Sequence, residues 1–162
     1  MENEQLIALV DDFFRDKNVG RRRWNYISFC IRGYIPERKL VNARKLYAPF
    51  DTEQEMPLIL MDDTLSFLSG KIGFLMTNCT LYYRLKRLDG NCFRLISGKI
   101  PLDDIETIHI QLRKKGSPFI VNGEAIGKIT AYSDGRDGLD DEGRTLIELL
   151  HRIVDSLHNK GS

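Results

Sequence analysis

The sequence has almost no charge of one sign. In 162 residues, 24 Lys and Arg stand against 23 Asp and Glu, a formal net charge of +1. A protein whose whole surface grips nucleic acid normally has a strongly basic balance, so bulk charge excludes that class and leaves room only for a local patch. Long apolar runs are also missing. The longest, Met56 to Met61, has a proline inside it and falls far short of the roughly 20 residues a spanning helix needs. The first residues, Met-Glu-Asn-Glu-Gln, are acidic where a secretory signal is positive, and Asp11 and Asp12 interrupt the apolar stretch behind them. No export signal is therefore expected. Cys30, Cys79 and Cys92 form no C-x-x-C pair and leave an odd thiol, which fits a reducing cytoplasm and buried, unreactive cysteines.

Catalytic signatures are missing as well. There is no G-x-x-x-x-G-K-[ST], G-x-G-x-x-G or G-x-S-x-G, and no cysteine sits in a recognisable nucleophile setting, so phosphate cradling and nucleophilic catalysis have no support. His151 and His158 with Asp155 could share a helix face, but a zinc site needs further ligands and none stands nearby in sequence, so solvated histidines are expected. The acids Asp134, Asp137, Asp140, Asp141 and Glu142 are spaced unlike a calcium loop, whose ligands alternate, and are expected to form an acidic loop capping a helix. The doublets Asp62-Asp63 and Asp103-Asp104 cannot form facing acid and base pairs, because adjacent strand residues point to opposite faces; turn formation is expected of both. The chain is expected to have no catalytic residues, metal or cofactor.

The chain does contain the makings of a core. It is 42% hydrophobic and 29% charged, an ordinary globular composition, and a chain this long buries roughly 70% of the surface its unfolded form exposes. Leu6, Ile7, Leu9, Val10, Phe13 and Phe14 recur at helical spacing, which predicts a helix from Glu2 to Lys17. In residues 24 to 35, Ile27, Phe29 and Ile31 alternate with polar residues, consistent with a strand or a buried helix. Pro36 opens a second helix on which Leu40, Ala43 and Tyr47 share a face, ended by Pro49. Beyond Pro57 the texture becomes short apolar runs between turn residues. Strands are expected near Leu58 to Met61, Ile72 to Met76, Thr80 to Leu85, Cys92 to Ile96, Ile105 to Arg113, Phe119 to Val121 and Glu124 to Tyr132, with turns at Asp89-Gly90-Asn91 and Asn122-Gly123. Ser133 to Gly143 is expected as a loop, and Leu146 to Leu157 as a strongly amphipathic final helix.

This order defines an α+β architecture: about seven antiparallel strands forming a barrel or curled sheet closed by a C-terminal helix, with a helical N-terminal extension. Residues 1–50 are assigned to the extension and 51–160 to the barrel with its helix, as one structural unit. The stretch Ile72-Gly73-Phe74-Leu75-Met76-Thr77-Asn78, then Thr80-Leu81-Tyr82-Tyr83, and the step Ile100-Pro101-Leu102-Asp103-Asp104-Ile105 resemble bacterial pleckstrin-homology-like (PH-like) domains. Ile35-Pro36, Asn42-Ala43-Arg44 with Tyr47, Met61-Asp62-Asp63-Thr64-Leu65 and Val121-Asn122-Gly123 extend the resemblance over roughly residues 35 to 157. It implies a binding or scaffolding module without shared catalytic residues.

Charge by segment says more than the total. Lys17, Arg21, Arg22 and Arg23 flank Trp24 and Tyr26, a basic and aromatic interleaving able to hold a phosphate backbone or an anionic membrane; a solvated turn anchored by the Trp is the simpler account. A second strip, Arg84, Lys86, Arg87 and Arg94, flanks the turn at Asp89-Gly90. The first expectation is a non-catalytic cytoplasmic adaptor whose partner is another protein, held at an open sheet edge, beside the last helix or by the extension. A toxin-neutralising immunity protein and a nucleic-acid or anionic-lipid binder acting through Lys17 to Tyr26 are the alternatives. A homodimer through a sheet edge is compatible with each.

Overall fold

The computed structural model describes residues 3–16, 29–63, 69–132 and 139–159. Their order is α1 (Asn3–Asp16), β1 (Phe29–Ile31), α2 (Glu37–Leu46), β2 (Pro57–Asp62), β3 (Gly73–Thr77), β4 (Thr80–Asp89), β5 (Cys92–Pro101), β6 (Ile108–Ile110), β7 (Ser117–Val121), β8 (Glu124–Ile129) and α3 (Leu139–His158), with a 3-10 turn at Leu102–Asp104. The α+β expectation holds. The molecule is an N-terminal helix, a curled antiparallel sheet and a C-terminal helix.

Seven strands form one hydrogen-bonded path, β1-β2-β3-β4-β8-β7-β6, and β5 pairs with β4 off that path. Strand β4 explains the curl. Along its full length it pairs with β5, from Thr80↔Pro101 to Asp89↔Cys92. Its opposite edge is shared: β3 takes Leu81 to Arg84, and β8 joins further on at Lys86↔Lys128. Two half-sheets therefore hang from one long hairpin and turn their apolar faces toward each other, bringing the Phe74 and Phe119 rings into a stack with centroids 5.0 Å apart. At the fork the backbones come close. A Cβ on Gly127 would lie 2.4 Å from Leu85 Cβ, so a side chain is excluded at this point of β8.

Helix α3 lays Leu146, Leu149, Leu150, Ile153 and Val154 into the main core, and α1 adds Leu6, Val10 and Phe13 to the same cluster. The amphipathic spacing read from the sequence is what permits this. Helix α2 covers the other side of the sheet, where Ala43, Tyr47, Ala48 and Phe50 pack on Leu60, Leu75 and Tyr82. Of residues 24 to 35, Phe29–Ile31 is a strand on the sheet edge beside β2, so the first 50 residues supply part of the sheet as well as helices; residues 24–28 lie outside the described residues.

Several boundaries differ from expectation: β4 and β5 run on to Asp89 and Pro101, past the expected Leu85 and Ile96. The long strand expected over Ile105 to Arg113 is confined to Ile108–Ile110, because Leu102–Asp104 forms a 3-10 turn and Ile105 closes it through Ile105 N–H to Leu102 O. Helix α3 begins at Leu139, so Asp140, Asp141, Glu142 and Gly143 belong to the helix and not to a loop. Gly143 is tolerated there because a Cβ would press on Leu112 and on buried Tyr132, at 3.0 and 3.2 Å. The cysteines also divide: Cys30 is buried, whereas Cys79, in the turn between β3 and β4, and Cys92, at the start of β5, are exposed.

Candidate functional site

The β4–β5 hairpin combines features that folding alone does not require. Its residues 80–101 carry Arg84, Lys86, Arg87, Arg94 and Lys99 against the single acid Asp89. Strand alternation sorts them. Leu81 and Leu85 enter the core, so Arg87 shares their face beyond the end of the barrel. Arg84, Lys86 and Leu88 share the opposite face with Tyr82. The register sets Arg87 directly opposite Arg94, and Lys86 directly opposite Lys128. Like charges facing each other across strands are destabilising, by a few tenths to about 1 kcal/mol each. Relief is slight: Arg94 reaches Asp89 only at 3.9 Å between exposed side chains. Lys86 donates to Thr130 Oγ1 at 3.4 Å, and Arg84 to Lys71 O at 3.3 Å.

Beside these cations stand exposed apolar groups. Leu88 and Phe93 are cross-strand partners, and Leu95 lies two residues along the same face. Phe93 is 68% exposed, Leu88 50% and Leu95 40%. Among the described residues strand β5 pairs only with β4, and no described strand lies along the outer edge of its ten residues. The sequence marked Arg84, Lys86 and Arg87, and the structure gathers them on this hairpin; it missed Phe93 and Leu95, which alternate with Arg94 as a half-buried strand would. No local pattern reveals that no described residue covers the face.

The other sequence candidates fall elsewhere. Lys17, Arg21, Arg22, Arg23, Trp24 and Tyr26 lie outside the described residues. Asp62 and Asp63 are not turn caps. Their side chains part to opposite faces, Asp62 to a buried ion pair with Lys39 Nζ at 3.0 Å and Asp63 to the end of β8. There Thr130 N–H, Thr130 Oγ1–H and Ala131 N–H all donate to the Asp63 carboxylate, at 2.8, 3.0 and 2.6 Å, joining the two half-sheets. Burial pushes Asp63 above the ordinary carboxylate range, opposed by these hydrogen bonds and by Lys86. Near the ion pair, burial pushes the Cys30 thiol and the Tyr47 phenol up, and Asp62 adds to both. The Tyr47 hydroxyl has no hydrogen-bond partner among the described residues. The Lys39–Asp62 ion pair and the packed Tyr47 ring tie α2 to the sheet.

The histidines are not simply solvated. His109 Nδ1 and His151 Nε2 stand 3.2 Å apart across the β6 and α3 seam, and His158 Nε2 lies 2.8 Å from Ile105 O. The pair lines an open pocket of about 310 Å³ with Leu112, Arg144, Ile147 and Glu148. A neutral pair of this kind shares one proton, one ring donating and the other accepting. Among the described residues no group of three or more His, Cys, Asp or Glu is placed to hold a metal ion, and no helix is long and apolar enough to cross a membrane. Comparison of the chain with family models, curated proteins and solved structures finds no match.

Proposed function

We propose that the protein is a non-catalytic PH-like binding module acting in the cytoplasm, with another protein as its partner and the β4–β5 hairpin as its binding surface. One observation carries the proposal: a ten-residue sheet edge without a partner strand among the described residues, bearing a phenylalanine that is 68% exposed. Open edges are normally short, bulged or covered, since an unpaired row of N–H and C=O groups invites another chain. An exposed apolar cluster rimmed by charge marks interaction surfaces more often than chance. The three cysteines without disulfide partners fit a reducing compartment.

Affinity capture from the native host with the wild-type chain and a Phe93→Glu variant tests this reading. Phe93 touches solvent, so the variant should unfold at the same temperature as the wild type. A protein retained by the wild type and lost on Phe93→Glu is the expected result. Equal retention by both, or none by either at low and moderate salt, would overturn it.

A further inference from the structure

The partner's chemistry follows from the edge itself. Resting on the hairpin as the binding surface, we infer that the module takes an extended segment of alternating acidic and apolar residues, added as an antiparallel strand to β5. The two-residue Gly90-Asn91 loop closes the Asp89↔Cys92 pair and so fixes the hydrogen-bonding phase of the hairpin. Counting from that pair, Cys92, Arg94, Ile96 and Gly98 direct their backbone groups to β4, while Phe93, Leu95, Ser97 and Lys99 direct theirs to the open side. Strand addition supplies main-chain hydrogen bonds to those four positions, and side-chain alternation supplies selectivity.

The two faces ask for different side chains. On the face of Leu88, Phe93 and Leu95, an added strand meets apolar surface beside the turn, with Lys86 and Lys99 further along the same face. On the face of Arg87 and Arg94 it meets two guanidinium groups set opposite each other, whose mutual repulsion a carboxylate relieves and whose planar donors it pairs with. An alternating acidic and apolar segment satisfies both. A second copy of this chain does not, since edge-to-edge pairing would bring the Arg94 and Lys99 side chains of both copies to one seam. Phosphate-bearing partners would use the cations alone and leave the apolar row and the open amides without a role.

The test uses the full-length protein and three capped ten-residue peptides: alternating Glu and Val, alternating Gln and Val, and alternating Lys and Val. The Glu-Val peptide should bind, protecting the amides of Phe93, Leu95, Ser97 and Lys99 from exchange, and should weaken by about fivefold to tenfold from low to physiological salt. The Gln-Val peptide should bind more weakly and the Lys-Val peptide not measurably. Two variants keep the outcome tied to the mode. Ser97→Pro removes an outward N–H without touching the β4 ladder, so the fold should survive and binding should be lost. Arg87→Glu with Arg94→Glu should transfer preference to the Lys-Val peptide. Equal binding of all three peptides, retention on Ser97→Pro, or no peptide binding would each overturn strand addition. So would capture of anionic vesicles or an oligonucleotide that Ser97→Pro leaves unchanged. If the peptides fail while a host protein is captured in a Phe93-dependent way, the module reading stands and this mode of recognition falls.

Discussion

At the scale of single residues, polar groups that look functional in the sequence do structural work. Asp63 is the clearest example. Its carboxylate is buried and accepts three hydrogen bonds from Thr130 and Ala131, the direct tie between β2 and the end of β8. Asp63→Ala leaves these donors without their acceptor and should lower unfolding stability by about 1–3 kcal/mol in urea denaturation. Asp63→Asn keeps an acceptor at Oδ1 and removes a charge that burial disfavours, so it should lose less. Equal loss in both variants would show that the charge and not the acceptor matters. The acidic doublet was visible in the sequence. Its partners were not, because Thr130 is 67 positions away and only the forked topology brings it close.

The histidines carry a pH dependence with a definite sign. Desolvation lowers the His109 pKa below its ordinary 6.5, and the neighbouring His151 adds to the shift. Arg144 and Glu148 line the same pocket, and Glu148 is held by Arg152 at 2.9 Å. The unfolded chain takes up a proton at His109 first as pH falls. Stability is therefore fully present above 6.5 and is lost through the window between 6.5 and the lower folded value. Replacing His109 by Gln should flatten the fall in melting temperature between neutral and mildly acidic pH. An unchanged slope would remove the histidine pair as its origin. In the sequence His151 lies on the expected final helix and His109 within the strand expected over Ile105 to Arg113, but their juxtaposition depends on where α3 crosses β6.

At the scale of elements, strong periodicity was legible and interruptions were not. Helices α1 and α3 and most of the strands stand where spacing placed them, since amphipathic period and core burial are the same constraint. Strand β6 is shorter than its alternating sequence because pairing with β7 is confined to Ile108 to Ile110. The start of α3 was missed because Asp and Gly read locally as loop, while packing against Leu112 and Tyr132 holds Gly143 in the helix. The fork at β4 rests on a glycine in the same way. Gly127→Ala puts a methyl group 2.4 Å from Leu85 Cβ, so β8 must shift away from β4. A loss of about 1–3 kcal/mol is expected, seen as a lower urea midpoint with an unchanged slope. An unchanged midpoint would mean that the fork is loosely packed.

At the scale of the whole molecule, the near balance of 24 basic and 23 acidic residues conceals its arrangement. The sequence showed a basic strip around Asp89-Gly90, and the fold turns that strip into a cationic hairpin that two half-sheets share as their spine. What the sequence could not show is the exposure of one edge. Cys92 to Pro101 alternates like any half-buried strand, and only the absence of a neighbour among the described residues on the far side of β5 makes it a surface. The basic run Lys17 to Tyr26 lies outside the described residues, so the hairpin carries the functional account.

Hydrogen exchange on the full-length chain, free and bound to the host protein it captures, tests that account most directly. Binding at the open edge predicts slowed exchange at Phe93, Leu95, Ser97 and Lys99, with little change along the α3 and β6 seam. Slowed exchange confined to that seam or to α1, with the four β5 amides unaffected, would contradict it.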